Sequence, residues 1–369
     1  MVKTSHIIEF LEHSLADISK QSSWDFSGNQ VFTGDKAVSK VALSLDPAKE
    51  IIEKAIKEGC ELLITHHPLF FRKIKGLDIS SKDAEKAVIA VRGGLDILSY
   101  HTNLDIALGG LNDYICELLG FPAEASPLSC EGSLPLYKLS IFVPYDYKDT
   151  VFNAVTSAGA GSIGNYSACG FMSEGVGLFT PNEHAVPFIG SHNEKVIADE
   201  VKIETVVYQK DLKRVVKAMM DAHPYEEPAF DIIRLEKGAD YGFGRICRSS
   251  APLTLENFIE MIKLKLGVSD IKTNMRHIQP FAEFAVCTGS GASLWREALN
   301  KNIRVLLTGD LKYHDALEAK ESGVCIIDAG HQGTEEIYMD RLGEILKNKF
   351  NIEIKIYKQD LQILHWGNY

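Results

Sequence analysis

The feature that most constrains this chain is a grammar repeated near both ends. A short apolar run is followed by turn residues and then by apolar side chains at helical spacing. VSKVALSLD (38–46), ELLIT (61–65) and LDILSY (95–100) read as strands. Between them lie a helix with the stripe Ile51, Ile52, Ala55 and Ile56 and a second helix, DAEKAVIAVRGG (83–94). Asp46 offers the first helix an N-cap, Pro47 its first residue and Gly59 its stop. Strand–helix–strand units of this length build a mostly parallel sheet covered by helices. The last third repeats the pattern. FAEFAVCTG (281–289), IRVLLTGD (303–310), VCIID (324–328) and IEIKIYK (352–358) read as strands. SGASLWREALNKN, LKYHDALEAKESG and a segment ending near residue 349 read as helices.

The middle differs. From about Leu136 the order is strand YKLSIFVP, helix DTVFNAVTSAGA, strands YSACGFMSEGVGLFTP and KVIADEVKIETVVY, helix LKRVVKAMMDAHP and strand AFDIIRL. That β-α-β-β-α-β order is the ferredoxin-like arrangement. Its flanks, PLSCEGSLP and EKGADYGFGR, are turn-rich. The sequence therefore predicts one α/β domain in two halves, 1–132 and 239–369, interrupted by a ferredoxin-like α+β domain at 133–238.

Composition closes off several classes of function. With 45% hydrophobic and 24% charged residues, this chain of 369 residues has a globular balance rather than that of a disordered, collagen-like or coiled-coil chain. Lys and Arg number 39 against 50 Asp and Glu, a net charge of −11 that argues against duplex-DNA binding. No apolar run approaches the roughly 20 residues of a membrane span. Residues 1–20 carry Glu9, Glu12 and Asp17 among Ile7, Ile8, Leu11, Leu15 and Ile18, so they read as a helix and not a signal peptide. The seven cysteines are odd in number and form no CxxC, so a reducing cytoplasm is expected and no thiol metal cluster. Cys60, Cys287 and Cys325 sit in or beside apolar runs and read as small buried hydrophobes.

Chemistry concentrates where strands end. His66 and His67 follow ELLIT, His101 and Asp105 follow LDILSY, and His331 and Glu335 follow VCIID. In open α/β sheets ligands sit at the carboxyl ends of strands, so these segments can converge on one cleft. Adjacent residues on a strand point to opposite faces, so two consecutive histidines suit two neighbouring ions better than one. The spacing of His331 and Glu335 puts both side chains toward one site, and a carboxylate has two oxygens with which to bridge a metal pair. Imidazole and carboxylate without thiolate suit Zn²⁺, Fe²⁺ or Mn²⁺. THHP alone is a weak signal; three such clusters together are not. GSGAS (289–293) reads as a helix-opening turn that can hold an anion, without the Lys-Ser/Thr pair of a Walker loop. His314, at a helix start, can reach a cleft above the sheet. HPYEEP (223–228) reads as structural, and His6, His13, His184, His192, His277 and His365 have no partner at metal spacing.

ITHHPLFF, SYHTNLD, LTGDLKYHDA and DAGHQGTE together resemble the GTP cyclohydrolase 1 type 2 homologue family of dinuclear-metal proteins. GVGLFTPNEHAVPFIGS and DAHPYEEPAFDI resemble the inserted domain of its longer bacterial members, which is similar in fold to the CutA and PII trimeric proteins. The resemblance implies two divalent metal ions per chain, with His66 and His67 as ligands to one metal each. Asp105 and His331 would be further ligands, and Glu335 a bridge. His101 and His314 match cavity histidines suited to proton transfer. It also implies a homohexamer of stacked trimers and, from the family's label, opening of the GTP ring. The expected activity is metal-dependent hydrolysis of a nucleotide-like or other small substrate. The alternative is a non-enzymatic, metal-loaded ring with a regulatory or ligand-binding role.

Overall fold

The structure, a computed structural model, describes every residue except Lys75, Pro122, Asn165, Lys237 and 359–369. It leaves the side chains of Ile18 and of 123–126 undescribed. His365 and the Ile18 side chain, both read from the sequence, thus lie outside the description.

In chain order the first part contains α1 (Thr4–Ser14), β1 (Gly28–Val31), β2 (Lys40–Ser44), α2 (Lys49–Lys57) and β3 (Leu62–Thr65). It continues through α3 (Lys82–Arg92), β4 (Asp96–Ser99), α4 (Thr102–Ile106), α5 (Leu111–Leu118) and β5 (Ala123–Leu134). The middle consists of β6 (Leu136–Pro144), α6 (Lys148–Ser157), β7 (Gly170–Phe179), β8 (Val196–Tyr208), α7 (Gln209–Ala222) and β9 (Ala229–Arg234). The last part begins with β10 (Ala239–Leu253), α8 (Leu255–Leu266), β11 (Lys272–Thr273), β12 (Phe281–Val286) and α9 (Trp295–Asn300). It ends with β13 (Val305–Thr308), α10 (Tyr313–Glu321), β14 (Cys325–Asp328), α11 (His331–Glu335), α12 (Tyr338–Lys349) and β15 (Glu353–Ile356).

The chain divides into two compact units, one of Met1–Glu131 with Tyr241–Tyr369 and the other of Gly132–Asp240. The first unit corrects the expectation of a single, mostly parallel sheet, for it holds two mixed sheets. One has the order β1-β4-β3-β2-β15 and the other β11-β14-β13-β12-β10-β5. In the first, β4, β3, β2 and β15 are parallel and β1 is antiparallel. In the second, β14, β13 and β12 are parallel, flanked by antiparallel β11 and β10. The β15 strand, which follows α12, pairs in parallel with β2 and completes the sheet begun by the first part.

Side-chain alternation explains the helical layers. From β2 and β3, Val41, Leu43, Leu62 and Ile64 pack with Ile7 and Leu11 of α1 and with Leu342 and Leu346 of α12. Ala42 and Leu63 turn the other way, onto Ile51, Ile52 and Ala55 of α2 and Ala87 and Ala90 of α3. The second sheet is covered in the same way. Phe284, Val305 and Ile327 meet Phe258 and Ile262 of α8, while Leu306 and Ile326 meet Ala298 of α9 and Ala319 of α10. Strands buried on both faces leave their chemistry to their ends.

The second unit is an antiparallel sheet of order β7-β8-β6-β9. Leu139, Ile141, Val201 and Ile203 pack on Val151 and Val155 of α6 and Val215 and Met219 of α7.

Candidate metal centre

The site is built at the carboxyl ends of parallel strands from both sheets of the first unit. β3 runs out at Thr65 into His66 and His67, both buried. The Thr65 hydroxyl donates to the His67 carbonyl at 2.7 Å and fixes the bend. β4 runs into Tyr100 and His101, which precedes the one-turn helix α4 that carries the buried Asp105. β14 is followed by Gly330, at φ +82°, and by the one-turn helix α11, whose ends are His331 and the buried Glu335.

Each imidazole is held from behind. The Nδ1–H of His66 donates to the Tyr100 carbonyl at 2.8 Å and that of His67 to Asp46 Oδ1 at 2.7 Å. His101 Nδ1–H donates to Asp25 Oδ1 at 2.8 Å, and His331 Nδ1–H to Asp310 Oδ2 at 2.7 Å. Anchoring Nδ1 fixes the tautomer and leaves Nε2 as the free donor atom, as in metal-ligating histidines. Asp25 is itself over-determined. It also accepts from the backbone N–H and hydroxyl of Thr102 and from the Ser27 hydroxyl.

The Nε2 atoms converge on two carboxylates. His66 Nε2 lies 3.5 Å from Asp105 Oδ1 and 3.7 Å from Glu335 Oε1. The other oxygen, Glu335 Oε2, lies 3.1 Å from His67 Nε2 and 3.0 Å from His331 Nε2. These last two nitrogens are 3.2 Å apart, and their lone pairs repel unless a proton or cation stands between them. Among the described residues, His66 Nε2, Asp105 Oδ1 and Glu335 Oε2 are buried without a hydrogen bond of good geometry. Buried polar atoms left in this state are costly, so the cluster is shaped for a further group. Three sets of ligand atoms each fall within 4.8 Å of one another: His66, Asp105 and Glu335; His67, His331 and Glu335; and His66, His67 and His101. Imidazole nitrogens and carboxylate oxygens, with their outer nitrogens anchored, fit a divalent metal ion.

With no ion bound, protons take up the electrostatics. Burial opposes charge on His67, but its hydrogen bonds to Asp46 and Glu335 win and raise it to about 10. His331 is raised to about 9 by Glu335 and Asp310 against the same burial. His66 is raised as well, by Asp105 and Glu335. Burial would raise Glu335, yet the surrounding imidazoles hold it well below the usual carboxylate range. Burial pushes Asp105 upward.

Of the residues singled out in the sequence, His66, His67, His101, Asp105, His331 and Glu335 come together. His314 does not: it is exposed at the start of α10, its ring 5.5 Å from that of Tyr313. Asp46 corrects the sequence reading. The N-cap of α2 is Ala48, and the Asp46 carboxylate holds His67 instead. Gly289 is not an anion cradle. A Cβ there would lie 2.0 Å from Glu335 Oε1, and its N–H donates to the Thr334 hydroxyl at 2.9 Å. Asp25 and Asp310 were not anticipated. Their only sequence signal is a carboxylate near a strand end or an anchored turn, which most strand ends share. Asp310 has φ +53°, a left-handed conformation that Asp tolerates better than most residues.

The chain matches the family model described as Duf34/NIF3 (NGG1p interacting factor 3) over residues 2–362. It is 36% identical over 333 residues to the GTP cyclohydrolase 1 type 2 homolog of Halalkalibacterium halodurans, covering 88% of each chain. It is 34% identical over 342 residues to that of Bacillus subtilis, covering 91% of each. The crystal structure of a Bacillus cereus protein related to NIF3 superposes with a TM-score of 0.84 at 31% identity and covers 99% of both chains. Among the described residues no helix is long and apolar enough to cross a membrane.

Proposed function

The chain belongs to the Duf34/NIF3 family, and from that premise we propose that it is a metal-dependent hydrolase acting on a small, nucleotide-like substrate. The observation that supports this is the division of Glu335. One oxygen faces His66 and Asp105, the other His67 and His331. Such a carboxylate suits two divalent transition-metal ions per chain, Zn²⁺ or Fe²⁺ ahead of Mn²⁺, with His66 and Asp105 at one and His67 and His331 at the other. When bound, ions of this kind lower the pKa of a coordinated water and polarise the bond to be cut.

The chain's own residues supply positioning and proton transfer. Tyr100, Asp46 and Asp310 aim the three ligand imidazoles. His101 stands beside them, its ring centroid 5.2 Å from that of His66 and 5.5 Å from that of His67. With Nδ1–H given to Asp25, its Nε2 is the atom that takes up or returns a proton, and we assign this role to His101 rather than the exposed His314. The reading includes a cytoplasmic homohexamer of stacked trimers assembled through the second unit as a PII/CutA-like domain. Exposed Leu178 and Ile197, cross-strand partners on β7 and β8, favour a self-association surface there.

The test is elemental analysis of the purified protein, followed by a screen of the loaded form on nucleotides, phosphoesters and cyclic amides. Close to two ions per chain and turnover of one class are expected. His101→Ala should lower that turnover by about 10²- to 10⁴-fold at unchanged metal content. A protein that takes up no ion after metal-supplemented expression overturns the reading. A loaded protein inert toward every class would instead favour a regulatory ring.

A further inference from the structure

We propose that Trp24 and Phe71 form an aromatic platform beside the metal centre that stacks a planar, conjugated ring of the substrate. Arg72 and Lys73 then receive an anionic group joined to that ring through the rest of the substrate. This rests on the hydrolase reading and narrows its substrate class. Trp24 is 60% and Phe71 54% exposed. Both rings nonetheless belong to the site. Trp24 lies 5.7 Å from His101, centroid to centroid, at 78° between planes, and Phe71 lies 6.0 Å from it at 85°. Phe71 is also 6.3 Å from His67.

Exposed aromatic rings on loose loops would mean little, but these loops are pinned. Trp24 precedes Asp25, whose carboxylate accepts from His101, Thr102 and Ser27. Phe71 follows the buried Leu69 and comes four residues after His67. A single side chain ties the two loops together. The Gln30 amide donates through Nε2 to the Phe26 carbonyl, and its Oε1 accepts from the Phe70 N–H at 3.2 Å. The rings are therefore pre-organised, which lowers the ordering cost of stacking a ligand. Aromatic side chains stack any planar π-face and so select ring shape rather than one base.

The second half of the platform is charge. Phe71, Arg72 and Lys73 line a recess of about 310 Å³. Its two carboxylates are already engaged, Asp78 by Ser80 and Asp83 by Lys86. Arg72 and Lys73 form no ion pair among the described residues. On a chain of net charge −11, two unpaired cations beside an exposed aromatic ring mark a place for an anion.

The experiment titrates the metal-loaded full chain with adenosine monophosphate, guanosine monophosphate, their nucleosides adenosine and guanosine, and ribose 5-phosphate, following tryptophan fluorescence. Trp295 is buried and Trp366 lies outside the described residues, so the titration is run in a Trp366→Phe background, where the Trp24→Leu difference isolates the Trp24 ring. Both nucleotides should quench and ribose 5-phosphate should not. Trp24→Leu should abolish the quenching. By calorimetry, Phe71→Leu should weaken nucleotide binding about tenfold at unchanged metal content. Arg72→Gln with Lys73→Gln should erase the preference for a nucleotide over its nucleoside. Equal binding of ribose 5-phosphate, or wild-type nucleotide affinity in both ring variants, overturns the proposal. So does a result in which the ring variants change only particle size by light scattering, since the rings would then be a contact between copies. The two readings fail separately. Nucleotide quenching in a protein that takes up no ion leaves the platform and removes the hydrolase, whereas a loaded protein that stacks nothing removes the platform alone.

Discussion

Each ligand imidazole is aimed only as well as the group behind it. Asp310 and Asp46 give His331 and His67 both orientation and negative charge. Asn at either position keeps an oxygen for the Nδ1–H but loses the charge. Asp310→Asn and Asp46→Asn should each weaken metal affinity by roughly 10- to 100-fold, measured by competition with a chelator of known affinity. Glu335→Gln tests the shared carboxylate. Loss of both ions per chain is expected, and loss of one would make Glu335 a terminal ligand. Protons oppose loading. His67, raised to about 10, and His331, raised to about 9, are protonated at pH 7 in the ion-free protein, and an ion must displace those protons. Binding should therefore release protons at pH 7, and affinity should fall as pH falls. Calorimetry in two buffers of different ionisation enthalpy measures the release, and a count of zero would contradict the protonated site. The convergence of these side chains was legible because strand-end His and carboxylate pairs recur in one register. Their orienting groups were not, because Asp46 and Asp310 each lie 21 residues from the histidine they hold and Asp25 lies 76 from His101.

At the scale of elements, apolar period and turn residues located the short parallel strands such as β2, β3, β4, β13 and β14, because these are buried on both faces, and the helices between them. They did not locate β1, β5, β10, β11, α4, α5 or α8, and the flanks read as turn-rich, PLSCEGSLP and EKGADYGFGR, lie largely in β5 and β10. Caps were less legible. Asp46 has the right type and place for an N-cap, but a competing partner, His67, takes its carboxylate. The HPYEEP turn, read as structural, has a definite mechanism. His223 Nε2–H donates to the Phe142 carbonyl at 3.0 Å, while its Nδ1 accepts from the Tyr225 N–H at 3.1 Å. Both nitrogens are used in the neutral ring, and protonation would destroy the acceptor. Burial lowers the His223 pKa below 6.5, ahead of the opposing effect of the Phe142 bond. A folded-state pKa below the unfolded one means that the unfolded chain binds the extra proton first. The stabilising contribution is therefore complete above about pH 6.5 and is lost as pH falls below it. Hydrogen exchange in β6 and α7 should accelerate between pH 6.5 and 5 once corrected for intrinsic rates, and His223→Gln should flatten that dependence. An unchanged slope in the variant would show that other groups drive it.

For the whole molecule, the sequence supports two kinds of texture but not the number of sheets. Nothing in IEIKIYK announces that it pairs with β2, more than 300 residues earlier, since a parallel partner is chosen by tertiary packing and not by local pattern. The same long return explains why the candidate ligands, drawn from residues 66 to 335, can belong to one unit. The chain leaves that unit after Glu131 and re-enters it at Tyr241. The crossing strands, β5 and β10, are neighbours in one sheet. Their closeness is plain at Gly242, where a Cβ would lie 1.9 Å from the Ser129 carbonyl oxygen and 2.8 Å from the Glu131 nitrogen. A gap bounded by two adjacent strands can be closed by a hairpin turn such as Asn-Gly. Among the described residues, the core of the remaining unit, including Phe258, Phe284, Leu43 and Leu62, draws no member from 132–240. Replacing 133–238 by Asn-Gly should therefore leave a folded protein that binds as many ions per chain as the full one, checked by circular dichroism and elemental analysis. Because the self-association surface we assign to Leu178 and Ile197 is removed with it, light scattering should report a smaller particle. An aggregate that binds no metal would mean that the centre depends on the excised unit, and the two units would then have to be treated as one folding entity.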